Sequence, residues 1–377
     1  MPQEQRQRPG RPDPPTGQAV APTFARADLA RARLFAQRLA GPVSGTAVEA
    51  VRWLTAIQAQ DFASALTSVG LRTATRLRAE VVAAIDVGEI VRSWPMRGTL
   101  HLTAAEDLPW MVQLLAPRVI KASVARRSKL GLEGPHLHRA RELTTAVLSG
   151  GRRLCRSDLF ATWERAGLNR GGERGTHILR YLAMTGTVVL GPTDGAGEQL
   201  VVLLDEWVRQ PRHLERDEAL GELALRYFRS HGPATTADLA AWCGLTADDT
   251  RTALTLARPE LLSCHIEGTE HFLDPETPNR LAAAREACGG RVLLLPAFDE
   301  FLLGYRDRTA QLDPAHAHQI VPGGNGIFRP TVVSDGRVVG TWTRTGRGAH
   351  PEVTATAFTA FSTDVDSAIH RLYAALP

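Results

Sequence analysis

The chain has 377 residues, with 44 Lys and Arg against 40 Asp and Glu and a net charge of +4. That length accommodates two or three small domains, and the slight basic excess is compatible with a polyanionic partner without requiring one. No apolar run approaches a membrane span and no apolar signal core opens the chain, so a cytoplasmic protein is expected. The four cysteines, Cys155, Cys243, Cys264 and Cys288, form no CxxC pair. His136/His138 and His316/His318 lack cysteine or acidic partners at ligand spacing. Neither a metal, a disulfide framework nor a cofactor is expected.

Residues 1–22 carry six prolines and three arginines (Arg6, Arg8, Arg11), a composition that reads as a disordered tail. A first winged-helix unit is expected over 23–135. It starts with a helix through Leu29, Leu34 and Leu39 that stops at Gly41-Pro42. A second helix at 46–57 follows, then a third after Asp61, and a fourth from Ala79 through Val91 that ends before Pro95. Arg97, Thr99 and His101 alternate with Gly98, Leu100 and Leu102, the period of a half-buried strand. Arg118, Lys121, Arg126, Arg127 and Lys129 form a run with no acid before Glu133. On a helix this is a one-sign surface, readable as a phosphate-contacting element or as a solvated linker.

A second unit, 136–212, shows helices at 157–163 and 176–182. Strands at 187–190 and 199–204 then flank a glycine-bearing loop, as in a helix-turn-helix with a wing. The basic loop 169–175 joins the two helices. A third unit, 213–288, repeats the pattern, with a hairpin turn at Glu267–Glu270. Over 289–377 the texture changes to strands Val292–Leu295, Val332-Val333, Val338–Thr343 and Glu352–Phe358, with a turn at 334–337 and a closing helix at 364–375. This is expected to be a small antiparallel barrel or sheet. The predicted fold class is therefore mostly α with β: tandem winged-helix units followed by that C-terminal sheet.

One short run organises the functional reading: Ile57-Gln58-Ala59-Gln60-Asp61. Val51, Leu54 and Gln58 share one helical face, whereas residues two apart point to nearly opposite sides of a helix. Gln58 and Gln60 can therefore share a site only where the chain leaves helical geometry. Asp61 can N-cap a new helix and so supplies a break. The bland alternative is a pair of solvated surface glutamines.

The run 56–61 resembles the Gln-apolar-Gln motif of the AlkZ-like DNA glycosylases, winged-helix proteins that excise bulky alkylated purines, including those in interstrand crosslinks. Two further runs are similar to that family: Trp94–Leu102, and Leu294–Asp299 with Gly304–Arg308. The resemblance runs in family order from near residue 25 to the C-terminus. A related branch carries Gln-apolar-Asp, and Gln60 departs from it. The resemblance implies catalytic Gln58 and Gln60, a double-stranded DNA substrate and a minor-groove probe on the C-terminal unit. The glycine-rich tip at 322–330, with Asn325, Phe328 and Arg329, is the candidate probe, a plain loop being the competing view. For Asp299, Tyr305, Asp307 and Arg308 an internal ion-pair and hydrogen-bond network is expected.

An amide cannot serve as the carboxylate acid or nucleophile of sugar hydrolases. Its carbonyl can orient water and its NH2 can hold a lesion, which suffices when the leaving base is already cationic, as in 7- or 3-alkylpurines. Asp61, Arg97 and His101 are accessory candidates, with helix capping (Asp61) or structural pairing as their other readings. A monomer is expected. The competing functions are a winged-helix transcriptional regulator and, more weakly, a small-molecule sensor. Against the regulator, the recognition segments 176–184 and 247–256 are poor in base-reading side chains.

Overall fold

The computed structural model describes residues 24–168, 171–345 and 352–377; the expected tail at 1–22 and residues Asn169 and Arg170 of the basic loop lie outside them. Helix α1 (Arg26–Ala36) is followed by α2 (Ala47–Leu54), which opens with a capping box. In it Thr46 Oγ1 accepts from Glu49 N and the Glu49 carboxylate accepts from Thr46 N, each at 3.2 Å. Strand β1 (Ile57–Gln58) comes next, then α3 (Phe62–Gly70), α4 (Arg78–Asp86), β2 (Ile90–Met96) and β3 (Thr99–Ala104). The helix expected through 79–91 thus stops at Asp86, and Ile90 and Val91 begin a strand. Pro95 lies inside that strand, at a register shift between Ser93 and Met96, where the ladder is already interrupted and a missing N–H costs nothing.

The expected basic helix is two helices, α5 (Leu108–Ala122) and α6 (Val124–Lys129), and α7 (Gly134–Leu148) follows. Next come α8 (Arg156–Arg165), α9 (Arg174–Met184), β4 (Val188–Thr193), β5 (Gln199–Leu203) and α10 (Leu204–Trp207). The third set comprises α11 (Arg216–His231), α12 (Thr236–Cys243), α13 (Ala247–Ala257), β6 (Leu262–Ile266), β7 (Thr269–Leu273) and α14 (Thr277–Cys288). The C-terminal part holds β8 (Val292–Leu295), α15 (Glu300–Leu303), α16 (Ala317–Ile320), β9 (Thr331–Ser334), β10 (Arg337–Thr345), β11 (Glu352–Ala357) and α17 (Thr363–Ala374).

The strands of the first two sets form one five-stranded sheet in the order β1-β3-β2-β4-β5, joined where Arg92 of β2 faces Leu190 of β4. The hairpins expected as separate wings are therefore neighbours in a shared sheet. Strands β6 and β7 make a separate hairpin. The last four strands pair antiparallel in the order β11-β10-β9-β8, and β8 and β11 stay as open edges, so the fold is mixed α+β with no closed barrel among the described residues. Side chains of α1 do not pack within the first unit alone. Leu34 and Leu39 share a core with Leu293, Phe301 and Val333 of the C-terminal part.

That joint is fastened by charge. Arg72, just past α3, and Asp299, the N-cap of α15, are both buried. Arg72 donates from Nη1 to Asp299 Oδ2 (2.8 Å) and from Nη2 to Oδ1 (2.9 Å). Its remaining N–H groups go to the Gln37 carbonyl and Gln37 Oε1 at 3.0 Å each and to the Ser68 carbonyl at 2.9 Å, and Ser68 Oγ donates to Asp299 Oδ2 at 2.6 Å. A bidentate pair with every polar atom matched is the arrangement in which a buried ion pair offsets its desolvation; removing one partner leaves an unmatched buried charge. Arg72→Met should therefore destabilise the fold by about 3–5 kcal/mol, and Arg72→Met with Asp299→Leu by less than that. Denaturant titration reads both, and equal losses in the single and double variants would contradict this account.

Candidate active site

The glutamines owe their placement to backbone geometry. Helix α2 ends at Leu54, and Thr55 follows at φ +69°, an uncommon and strained conformation for a β-branched residue. That turn throws the chain into β1, the edge strand of the five-stranded sheet. Gln58 faces His101 across the ladder with β3, and Ala59 N donates to the Leu100 carbonyl at 2.7 Å. Gln58 thus lies on extended chain rather than at a helix end, and Gln60 on the bend just past β1. Arg92 of β2 secures this backbone by donating to the Ala59 carbonyl (2.9 Å) and the Gln60 carbonyl (3.4 Å). Burial lowers the Arg92 pKa to about 10, and it stays a cation at neutral pH.

Gln58 is buried and Gln60 is exposed, so the site is a ledge with one amide turned into the protein and one at the surface. Arg97 Nη2 donates to Gln58 Oε1 at 3.2 Å, and Leu100 N donates to Gln60 Oε1 at 3.4 Å. Both partners can only donate, which fixes which end of each amide is oxygen. Each carbonyl keeps a second lone pair, and each NH2 remains available.

Arg97 also settles the state of His101. The two side chains meet at 3.3 Å through Arg97 Nη2 and His101 Nε2, and a guanidinium cannot accept, so Nε2 is the acceptor. The proton then sits on Nδ1, which donates to the Thr99 carbonyl at 2.9 Å. Burial, helped by the Arg97 charge, lowers the His101 pKa to about 3. His101 is a neutral, buried brace at physiological pH. Arg97 itself is not on a strand face; with Gly98 it forms the β2–β3 turn, both at positive φ.

The residue that sequence reasoning missed is Glu300. It is fully buried at the start of α15, where Oε1 accepts from Gln58 N (3.0 Å) and Oε2 from Trp242 Nε1 (2.9 Å). Burial pushes its carboxyl pKa up, but contact with His231 and the Gln58 N–H outweighs this and holds it below the ordinary carboxylate value. An ionised carboxylate therefore stands directly behind the glutamine strand. Glu300 follows Asp299 in the matched run, but nothing local shows that it faces a residue 242 positions earlier.

The remaining candidates are dispersed. Asp61 is exposed and caps α3, its Oδ1 accepting from Ser64 N at 2.7 Å. Arg118, Lys121, Arg126 and Lys129 are exposed, with Arg126 paired to Glu173. Arg127 is turned inward instead, bonded to the Ile120 carbonyl and Ser123 Oγ and lying over the Tyr181 ring. The 322–330 segment is a turn-rich loop leading into β9 rather than a hairpin. Asn325 and Arg329 are exposed on it, whereas Phe328 is half-buried under Arg308. Of the residues expected in an internal network, Asp299 pairs with Arg72, buried Tyr305 donates to the His231 carbonyl and Arg308 donates to the Leu302 carbonyl, whereas Asp307 is exposed and accepts from Thr309 N at 2.9 Å. Among the described residues no cluster of three His, Cys, Asp or Glu is placed to hold a metal, and no helix is long and apolar enough to cross a membrane.

Comparison with known proteins agrees with this geometry over most of the chain. An interstrand DNA cross-link repair glycosylase from Streptomyces sahachiroi is 29% identical over 318 residues, covering 79% of this chain and 82% of its own. The solved structure of the Streptomyces sahachiroi DNA glycosylase AlkZ superposes with a TM-score of 0.78 at 25% identity, over 93% of this chain and 95% of that one. The family model described as DNA glycosylase AlkZ-like matches residues 51–376, a span that includes the glutamine strand, Arg97, His101 and Glu300, and the chain belongs to the AlkZ-like DNA glycosylase family.

Proposed function

We propose that this protein hydrolyses the N-glycosidic bond of bulky N7- or N3-alkylated purines in double-stranded DNA, and that crosslinked purines are among its substrates. The observation that carries this reading is the pair of donor-anchored amides, Gln58 on the edge strand β1 and Gln60 exposed just past its end. A site flush with the surface does not require the base to fit an enclosing pocket, so a large adduct, or a base tethered to the opposite strand, can reach it.

In the proposed reaction water attacks the anomeric carbon as the bond to the purine breaks, the bonding pair leaves with the base, and the water's proton passes to solvent at the open site. Gln58 and Gln60 use their free lone pairs to orient that water and to face the positive charge growing on the sugar. Glu300, buried behind β1, adds negative potential from a distance at which it cannot act as nucleophile. Arg97 aligns Gln58. An alkylpurine that is already cationic leaves as a neutral base, so no group has to donate a proton. Hydrolysis in this form draws on water and side chains alone. The exposed cations Arg118, Lys121, Arg126 and Lys129, with Asn325 and Arg329, are proposed to meet the DNA backbone. A transcriptional regulator fits less well, because α13 opens with Asp248 and Asp249, which would repel a major-groove phosphate wall.

Gln58→Ala and Gln60→Ala should each lower single-turnover release of 7-alkylguanine by about 10²–10³ with little change in DNA affinity. Near-normal excision in both variants would remove the site. The pH profile gives a second test. His101 stays neutral down to about pH 3 and Glu300 is held ionised, so the excision rate should be nearly flat between about pH 6 and 9. On the acid side the unfolded chain binds a proton at its ordinary histidine pKa of about 6.5 while the folded His101 does not. Folding stability should therefore fall as pH drops from about 6.5 towards 3, without a catalytic limb above pH 6. A bell-shaped rate profile, or efficient release of uracil from DNA, would contradict amide catalysis.

A further inference from the structure

Arg97, the partner of Gln58, also lines a cleft of about 720 Å³ together with Arg118, Arg180 and Arg306, with no acidic side chain in its lining. Its walls come from the β2–β3 turn, α5, α9, α12 and the segment after α15 that carries Arg306, so elements distant in sequence converge to bring the guanidinium groups together. Two of them are held in place. Arg118 Nη1 donates to the Gly244 carbonyl at 2.8 Å, and the Arg97 stem packs on the same glycine. The other two are not. Arg306 is exposed and its side chain makes no hydrogen bond or ion pair among the described residues. Arg180 is half-buried, yet its guanidinium has no protein partner among them, and its Nε is shielded from water.

A half-buried cation without a partner is costly unless something else supplies the negative charge. The fold nevertheless makes room for it. Arg180 lies against Gly98, in the space a side chain there would fill, so the turn that carries Arg97 also seats Arg180. Loss of water around Arg180 lowers its pKa, with Arg127 adding to the effect, and no carboxylate opposes either. The group missing from this arrangement is a tetrahedral oxyanion able to accept from several guanidinium forks at once.

We propose that this cleft seats a DNA backbone phosphate next to the lesion, with Arg180 and Arg306 as its main contacts and Arg97 linking it to Gln58. This rests on the glycosylase reading for the identity of the strand, but its main contacts, Arg180 and Arg306, lie apart from the exposed run on α5 and α6, of which Arg118 alone reaches the cleft. Because Arg97 belongs to both places, the phosphate and the amide would be registered on one rigid turn. The sugar between them would then be placed by a contact to its own backbone rather than by recognition of its base.

The test is the salt dependence of binding to unmodified duplex DNA, which needs no excision. Arg180→Ala and Arg306→Ala should each reduce the slope of log K against log salt by about 1, and together by about 2. The Arg306 side chain makes no hydrogen bond or ion pair among the described residues, so its substitution reports contact, and thermal melting checks that both variants fold. Wild-type slopes in both folded variants would overturn the proposal, even if 7-alkylguanine is excised normally. The opposite pattern, reduced slopes in a protein that releases no base, would leave the phosphate site standing and remove the glycosylase reading. Inorganic phosphate replacing chloride at constant ionic strength distinguishes the other source of the same chemistry. If phosphate raises the wild-type melting temperature, leaves that of Arg180→Ala unmoved and the DNA slopes stay wild-type, the cleft is a free-anion site and the DNA assignment fails.

Discussion

The bidentate pair between Arg72 and Asp299 joins residues 227 positions apart in a place that water does not reach. Around it, α1 is drawn onto the C-terminal sheet through Gln37, α3 is held by Ser68, and α15 is started by the Asp299 cap. The next residue along that cap is Glu300, so the geometry of the ion pair determines where the buried carboxylate sits. From there it reaches the Gln58 N–H and Trp242 of the third helical set. Loosening Arg72 would shift the support under the glutamine strand although Arg72 touches neither glutamine.

The site combines a rigid rear and an open front. Behind β1 three polar groups are held by fixed partners: Glu300 by two N–H donors, His101 as one tautomer, Arg92 on the strand's carbonyls. In front, one amide meets solvent. Such a division suits chemistry in which the substrate brings its own leaving-group activation, and the protein need only present oriented dipoles that do not reorganise as charge develops. It also accounts for amides here. A carboxylate at position 58 would pair with Arg97 and lose the orientation that a neutral carbonyl keeps.

Much of this was legible in local sequence where local physics decides the outcome. Asp61 caps α3, Thr46 and Glu49 form the box that starts α2, and Asp335-Gly336 makes the β9–β10 turn at positive φ. The C-terminal strands fall where their alternation places them. Tertiary context decided the rest. Ile90 and Val91 continue a helical pattern, but Gly88 at φ +82° ends the helix and sheet pairing recruits them. Arg127 looks like its neighbours in a basic run and yet turns inward onto Tyr181. The glutamine pair could be recognised from its motif, whereas the strand that aligns it and the carboxylate behind it depend on partners far along the chain.

That separation has a temporal side. During synthesis β1 emerges early, but Gln58 N has no acceptor until Glu300, 242 residues later, has left the ribosome and docked. At about 5–20 residues per second this is an interval of roughly 12–50 seconds. Through that window the nascent chain can already display its basic helices to polyanions while its glutamine ledge lacks the carboxylate behind it. Affinity for nucleic acid would thus mature before hydrolytic competence. On the proposed function, the protein would become able to cut a base from DNA only when its C-terminal third has closed over the residues made near its beginning.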